Sequence, residues 1–154
     1  MTNNDIFRRL RYIFDFNDSQ MIELFRLAEY ETTRAEVSDW LKKEDDEAFQ
    51  ELSDENLAVF LNGLINDKRG KREGPQPKPE TFLDNNMILR KLKIALNLRD
   101  EDMLKVFALA DVKVSKHELS AFFRKPNQSQ YRICKDQYLR NFLKGMQVKY
   151  RKDV

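Results

Sequence analysis

Apolar residues recur every three or four positions along most of the chain, which is the spacing of amphipathic helices. In the first such segment Ile6, Leu10 and Ile13 fall on one helical face, and Ile88 and Leu92 open an equivalent segment later. No segment shows the strict alternation of apolar and polar residues that a half-buried strand requires. The pattern therefore predicts an all-α protein.

The hydrophobic pattern repeats itself at an offset of 82 residues. From Asn3 to Leu64, 18 of 62 positions carry the same residue as the position 82 residues later. Self-similarity at a fixed offset indicates a duplicated structural unit. We predict two tandem repeats of about four helices each, residues 1–69 and 85–154.

A segment rich in proline and glycine, residues 70–84, separates the two repeats. It contains three of the four prolines and two of the four glycines of the chain, so it is predicted to be an extended linker rather than a helix. We expect Phe82 and Leu83 to pack this linker against the body of the protein.

Short polar motifs predict where several helices begin. Thr33 and Ser115 each start an S/T-x-x-E capping box, which predicts the first turn of the third helix in each repeat. Asp18 and Asp100 are the expected N-caps of the two second helices. The boundaries of equivalent helices therefore agree between the repeats.

Gly63 and Gly145 occupy equivalent positions inside the predicted fourth helices. A glycine inside a helix costs about 1 kcal/mol relative to alanine. Its presence in both repeats predicts that another backbone passes close to it. We expect that backbone to come from the other repeat, so that the fourth helices form an interface.

Charge is divided unevenly between the repeats. Residues 1–66 contain seven basic and fifteen acidic residues, a net charge of −8, whereas residues 85–154 contain sixteen basic and seven acidic residues, a net charge of +9. The simpler interpretation is that the halves attract each other. The alternative is that the basic half contacts a polyanion. Basic clusters at 8–11 and 90–93 recur in both repeats and allow a shared electrostatic role.

The second and third helices of each repeat resemble a helix-turn-helix unit. Residues 114–122 follow the residue order of many recognition helices, whose N-terminal side chains enter the major groove. Ala121 is expected to be exposed on the same face as the basic residues. The candidate contacts to nucleic acid or to a protein partner are Lys116, His117, Arg124 and Lys125.

The helix-turn-helix interpretation has weaknesses in its turn and in its charge. The glycine that is usual in the turn is absent, with Glu29–Glu31 and Asp111–Lys113 in its place, and the turn is longer than the pattern expects. Four consecutive acids, Glu44–Glu47, follow the third helix of the first repeat and would repel a polyanion. Any nucleic acid would therefore bind the second repeat.

Residues that carry enzyme chemistry are scarce. His117 is the single histidine, and it lies at an exposed helix start, where it has no partner for a metal site. Cys134 aligns with Leu52, which predicts a small buried apolar residue rather than a nucleophile. No P-loop, dinucleotide fingerprint or metal-ligand spacing occurs. We expect neither catalytic residues nor a cofactor.

The chain is expected to reside in the cytoplasm. A single cysteine cannot form an internal disulfide, which suits a reducing compartment. No secretory signal and no membrane-spanning segment is predicted.

Three long strings, Val37–Asp45, Asn85–Leu92 and Lys116–Pro126, resemble those of the YehS-like family of small bacterial proteins of unestablished function. The resemblance spans essentially the whole chain. It implies a bacterial cytosolic protein with a duplicated helical unit, and it implies no catalytic residues. We therefore expect a non-enzymatic binding or regulatory module with a protein partner. The alternative is a nucleic-acid-binding protein that acts through its basic second repeat.

Overall fold

A computed structural model describes residues 1–151, which form eight α-helices and no strand. The helices are α1 (Asn3–Phe14), α2 (Asp18–Leu27), α3 (Arg34–Leu41), α4 (Asp54–Arg69), α5 (Asn85–Ala95), α6 (Asp100–Leu109), α7 (Lys116–Phe122) and α8 (Asp136–Tyr150). The chain divides into two compact units between Leu83 and Asp84, with four helices in each. The prediction of an all-α fold is confirmed. In the described part of the chain, none of the helices has both the length and the apolar character needed to cross a lipid bilayer.

The first unit is built around a cluster of aromatic rings. Phe7 of α1, Phe25 of α2 and Phe60 of α4 are fully buried, and the ring centroids of Phe7 and Phe60 lie 4.8 Å apart. Trp40 of α3 completes the cluster 5.5 Å from Phe25. Such ring pairs contribute about 0.5–1.5 kcal/mol each beyond the burial of their area. Through these contacts α4 packs along α2, and α3 packs against α1 and α2.

The second unit has the same arrangement of helices with a different set of rings. Phe107 of α6 and Phe142 of α8 keep the central contact, with centroids 5.2 Å apart. Leu89 replaces one of the phenylalanines of α1, and Tyr138 packs beside Phe122 with centroids 5.2 Å apart. The duplicated scaffold therefore tolerates substitutions in its core.

Both predicted capping boxes are present. The backbone N–H of Glu36 donates to the Thr33 hydroxyl at 3.1 Å, and the Glu36 carboxylate accepts from the Thr33 N–H at 3.1 Å. The equivalent backbone and side-chain hydrogen bonds of Ser115 lower the pKa of Glu118. The predictions for the second helices are wrong by one residue. Their N-caps lie one position before Asp18 and Asp100, which are the first residues of α2 and α6.

The two helical glycines lie where backbones cross. A Cβ atom on Gly63 would stand 1.8 Å from the carbonyl oxygen of Leu24, and one on Gly145 would stand 2.0 Å from that of Val106. The prediction of a close backbone is confirmed, but the expected neighbour was wrong. The close backbone belongs to the second helix of the same repeat, so the glycines are no evidence of an interface between repeats.

Most of the predicted linker lies with the first unit. The Asn66 side-chain amide near the end of α4 donates to the Gln76 side chain at 3.2 Å, and the Leu83 N–H donates to Asp54, at the start of α4, at 3.0 Å. The segment therefore runs back along α4. Leu83 is buried as predicted, but Phe82 is 64% exposed, so the prediction that it packs against the body is wrong.

Candidate binding site

A shallow groove lies in the second unit at the C-terminal end of α7. Its walls come from α5, the first residue of α6, the end of α7 and the loop that follows. The lining residues are Lys93, Asp100, Ser120, Phe123, Arg124, Lys125 and Gln128. Three of these side chains are cations and one is an acid. We refer to this site as the α7 groove.

A buried asparagine fixes the loop that flanks the α7 groove. The Asn86 amide nitrogen donates to the carbonyl oxygens of Phe122 at 3.0 Å and Arg132 at 2.8 Å. Its side-chain oxygen accepts from the N–H of Cys134 at 2.9 Å. Asn4 makes the same three bonds in the first repeat. Both ends of the loop between α7 and α8 are thus held by one side chain, which satisfies polar groups that would be costly to bury unpaired.

Two cations of α5 approach the ring of Phe123. The Arg90 guanidinium carbon lies 5.6 Å from the ring centroid and the Lys93 ammonium lies 5.5 Å from it, both within range for cation–π attraction. Arg90 also donates to the carbonyl oxygen of Phe123 at 2.7 Å. Lys93 forms an ion pair with Asp100 at 3.3 Å. The basic character of the site therefore extends from the α7 groove onto α5.

The corresponding cations of the first repeat are paired with carboxylates three residues earlier in the chain. Arg8, the counterpart of Arg90, lies 2.5 Å from Asp5. Lys42, the counterpart of Arg124, lies 2.8 Å from Asp39, and the hydrogen bond from that pair raises the pKa of Lys42. The first repeat therefore neutralises these cations internally.

The second repeat keeps the cations but lacks these two acids. Met87 stands at the position of Asp5, and Ala121 stands at the position of Asp39. The acidic run Glu44–Glu47 is replaced by the uncharged residues Pro126–Ser129. Within residues 1–151, no carboxylate lies within ion-pair distance of Arg90 or Arg124.

The four residues predicted from the sequence fall into two groups. Arg124 and Lys125 line the α7 groove, whereas Lys116 and His117 are exposed at the opposite end of α7. The helix has seven residues and is about 10 Å long, so it separates the two groups. Ala121 is 2% exposed, and the prediction that it is exposed is wrong. The loop returns over it, since the N–H of Arg132 donates to the Ala121 carbonyl oxygen at 3.1 Å.

Several residues of the site were missed at the level of the sequence: Arg90, Lys93, Asp100, Ser120, Phe123 and Gln128. The recurring basic cluster at residues 90–93 was the available signal, but its position beside the loop after α7 depends on tertiary packing. The pairing of the cations also becomes visible only when the two repeats are compared in space.

The turn before α7 has the backbone conformation for which helix-turn-helix proteins commonly use glycine. Asp111 has a φ of 59° and its counterpart Glu29 has a φ of 62°, both in the left-handed region. This region is costly for residues with a Cβ atom. Asp111 thus occupies the left-handed position without a glycine, but residues 110–115 connect α6 to α7, which is longer than the three or four residues of a helix-turn-helix turn.

Cys134 is buried as predicted, and burial raises the pKa of its thiol to about 12. A thiol with so high a pKa is a poor nucleophile near neutral pH. Among residues 1–151, no group of three or more His, Cys, Asp or Glu side chains is arranged to hold a metal ion.

Comparison with known proteins shows the repeat without reference to the structure, because one family matches the chain twice. The family described as "Protein of unknown function (DUF1456)" matches the chain twice, over residues 3–70 and 85–152. The uncharacterized protein YehS of Escherichia coli (strain K12) is 42% identical over 147 residues, which cover 95% of this chain and 94% of that protein. No solved structure matches the chain.

Proposed function

This chain belongs to the DUF1456 family of proteins of unknown function, and we propose that it is a non-enzymatic binding module that acts through its second repeat. One observation carries the proposal. Equivalent cations are paired with carboxylates in the first repeat, and two of them lack such partners in the second. A surface whose cations are not neutralised attracts anionic partners and speeds their association.

The chemistry of the α7 groove supports binding rather than catalysis. Its titratable groups are Lys93, Asp100, Arg124 and Lys125. Asp100 is exposed and forms an ion pair with Lys93 at 3.3 Å. The thiol of Cys134 is buried and protonated. We also propose a cytoplasmic location, which is supported by this unpaired thiol.

A protein partner with an acidic surface is the first candidate. The first repeat supports it, because there the equivalent cations bind carboxylates of protein side chains. Nucleic acid is the second candidate. It is supported by Lys116 and His117, which are exposed at the capped start of α7, and by the left-handed turn at Asp111.

Fluorescence anisotropy of the full chain with labelled duplex DNA and with labelled polyglutamate tests the proposal. Titrations run from low to physiological salt, because binding to phosphates weakens steeply as salt rises. We expect binding that the double variant Arg124→Ala/Lys125→Ala weakens. The matched double variant Lys42→Ala/Lys43→Ala of the first repeat should retain it.

Three outcomes discriminate between the candidates. Polyglutamate binding that depends on Arg124 supports a protein partner. DNA binding that is lost in Lys116→Ala/His117→Ala supports the helix-turn-helix alternative. If neither probe binds at low salt, or if the variants of both repeats behave alike, the proposed function is wrong.

A further inference from the structure

The two repeats place equivalent guanidinium groups at equivalent positions. Arg8 donates to the carbonyl oxygen of Lys42 at 2.7 Å, and Arg90 donates to the carbonyl oxygen of Phe123 at the same distance. In the alignment of the repeats, Phe123 corresponds to the residue just before Lys42. In both repeats this carbonyl lies just after the third helix, and the following loop is held by Asn4 or Asn86. The groups that the cations of the first repeat bind therefore indicate which groups the equivalent cations of the second repeat can bind. We use the first repeat as the template for this comparison.

In that template the cations hold three carboxylates. The pairs are Arg8 with Asp5 at 2.5 Å, Arg11 with Asp18 at 3.1 Å and Lys42 with Asp39 at 2.8 Å. Each carboxylate comes from the same repeat as its cation. Because these cations are already paired within the repeat, they attract an external anion only weakly.

The second repeat retains one of the three carboxylates. Asp100 replaces Asp18 and still pairs with Lys93, the counterpart of Arg11. The other two carboxylates are replaced by Met87 and Ala121, while their cations remain as Arg90 and Arg124. The second repeat thus keeps two cations without the acids that pair with them in the first repeat. A carboxylate that pairs with either cation would be supplied by another molecule.

We propose that the α7 groove and the adjoining Arg90 bind an acidic polypeptide segment, whose aspartate or glutamate side chains pair with Arg90 and Arg124. This inference rests on the proposed function and specifies its ligand. Both arginines can bind a carboxylate through two parallel N–H groups. The remaining side chains suit a peptide as well, because Ser120 and Gln128 offer hydrogen-bonding groups and Phe123 offers an apolar face.

The retained acid favours a peptide over nucleic acid. Asp100 lines the same groove as Arg124, with its side chain 59% exposed. A fixed negative charge at that point repels the continuous phosphates of a duplex more than it repels spaced carboxylates. A peptide can place its acids on either side of Asp100.

The test measures binding of a labelled eight-residue Asp/Glu peptide to the full chain at physiological salt, with an Asn/Gln peptide of the same length as the uncharged control. Variant Arg124→Ala should weaken binding about tenfold, the scale expected for loss of one charge-assisted pair. Lys42→Ala, its counterpart in the first repeat, should leave the affinity unchanged.

A sharper variant adds acids to the arginine site of the second repeat. Met87→Asp supplies Arg90 with the carboxylate that Asp5 supplies to Arg8, and Gln128→Glu adds a charge to the groove while keeping the oxygen that accepts from the Lys125 N–H. An acid in the first turn of α5 also favours the helix, so the variant should fold. It should lose peptide binding at least as fully as Arg124→Ala while its thermal unfolding stays at or above that of the parent.

The results separate this inference from the proposed function. Unchanged affinity in the Met87→Asp/Gln128→Glu variant, or equal binding of the Asn/Gln peptide, overturns the acidic-segment assignment. Duplex DNA that binds and displaces the peptide overturns it too, although the proposed function then stands. Absence of binding by both the peptide and DNA overturns both.

Discussion

The side-chain oxygen of Asn86 accepts a hydrogen bond from the backbone N–H of Cys134, 48 residues away, at 2.9 Å. The same amide donates to two carbonyl oxygens, so one buried side chain holds three backbone groups. The bond joins the start of the second repeat to the end of the loop beside the α7 groove. The integrity of that groove therefore depends on a residue that does not line it.

Replacing this asparagine should destabilise the second unit. We expect Asn86→Ala to lower the free energy of unfolding by about 3 kcal/mol, because it leaves buried backbone groups without partners. Chemical denaturation of the full chain measures the change. Asn127→Ala, at an exposed position of the loop, is the control and should change stability by less than about 0.5 kcal/mol. Equal effects of the two substitutions would contradict the role of Asn86.

The helical glycines should resist even the smallest substitution. Gly145→Ala would raise intrinsic helix propensity by about 1 kcal/mol, yet its Cβ atom would stand 2.0 Å from the Val106 carbonyl oxygen. We expect a net loss of about 2 kcal/mol or more as α6 and α8 move apart. Thermal unfolding checks this, with Lys144→Ala on the exposed side of α8 as the control. A rise in melting temperature for Gly145→Ala would refute the close crossing.

Relief of the left-handed turn should stabilise the protein. Asp111 has a φ of 59°, and glycine adopts this conformation without the steric cost of a Cβ atom. We expect Asp111→Gly to raise the free energy of unfolding by about 0.5–1 kcal/mol. Asp111→Ala keeps the cost and should give no gain. The two variants compared by thermal unfolding decide the question, and a gain from alanine alone would disprove the explanation.

The thiol of Cys134 should make stability dependent on alkaline pH. Burial raises its pKa from 9.0 to about 12, so above pH 9 the unfolded chain loses a proton that the folded chain keeps. Stability is therefore expected to fall as pH rises from 9 towards 12. Cys134→Leu, which installs the residue of the first repeat, should remove this contribution. Denaturation curves of both proteins at pH 8 and pH 10 measure it, and parallel losses in the two would contradict it.

The first repeat should acquire binding when its own acids are removed. Asp39→Ala deprives Lys42 of its partner at 2.8 Å, and the pKa of Lys42 should fall towards its ordinary value. We expect the full chain to gain weak affinity for the Asp/Glu peptide, measurable by anisotropy in the Arg124→Ala background. Asp45→Ala, which removes an exposed acid of the loop, is the control for a change in net charge. If both variants gain affinity equally, net charge rather than the local pairing explains binding.

Local features of the fold could be predicted from the sequence because their causes lie within a few residues. The capping boxes at Thr33 and Ser115 and the helical spacing of apolar positions are of this kind. The bonds of Asn4 and Asn86 join residues 36–48 positions apart, and nothing in local spacing indicates them. Ala121 was misjudged for the same reason, since a loop that returns from Arg132 covers it.

The candidate site was only half predictable. Arg124 and Lys125 were found because they follow a recognisable helix, whereas Arg90 and Lys93 are brought to the loop by the packing of α5. An alignment of the repeats shows from the sequence alone that Met87 replaces Asp5. The significance of this replacement becomes clear only from the structure, in which Asp5 forms an ion pair with Arg8.

The crossings at Gly63 and Gly145 have a consequence for how such a chain diverges. At each crossing the atoms nearest to the glycine belong to the backbone carbonyl group of Leu24 or Val106. Substitutions of charged residues elsewhere in a repeat do not alter this backbone contact. After such a duplication, one repeat can keep its cations paired with its own acids. The other repeat can lose those acids and gain a ligand-binding surface while its helices still cross in the same way.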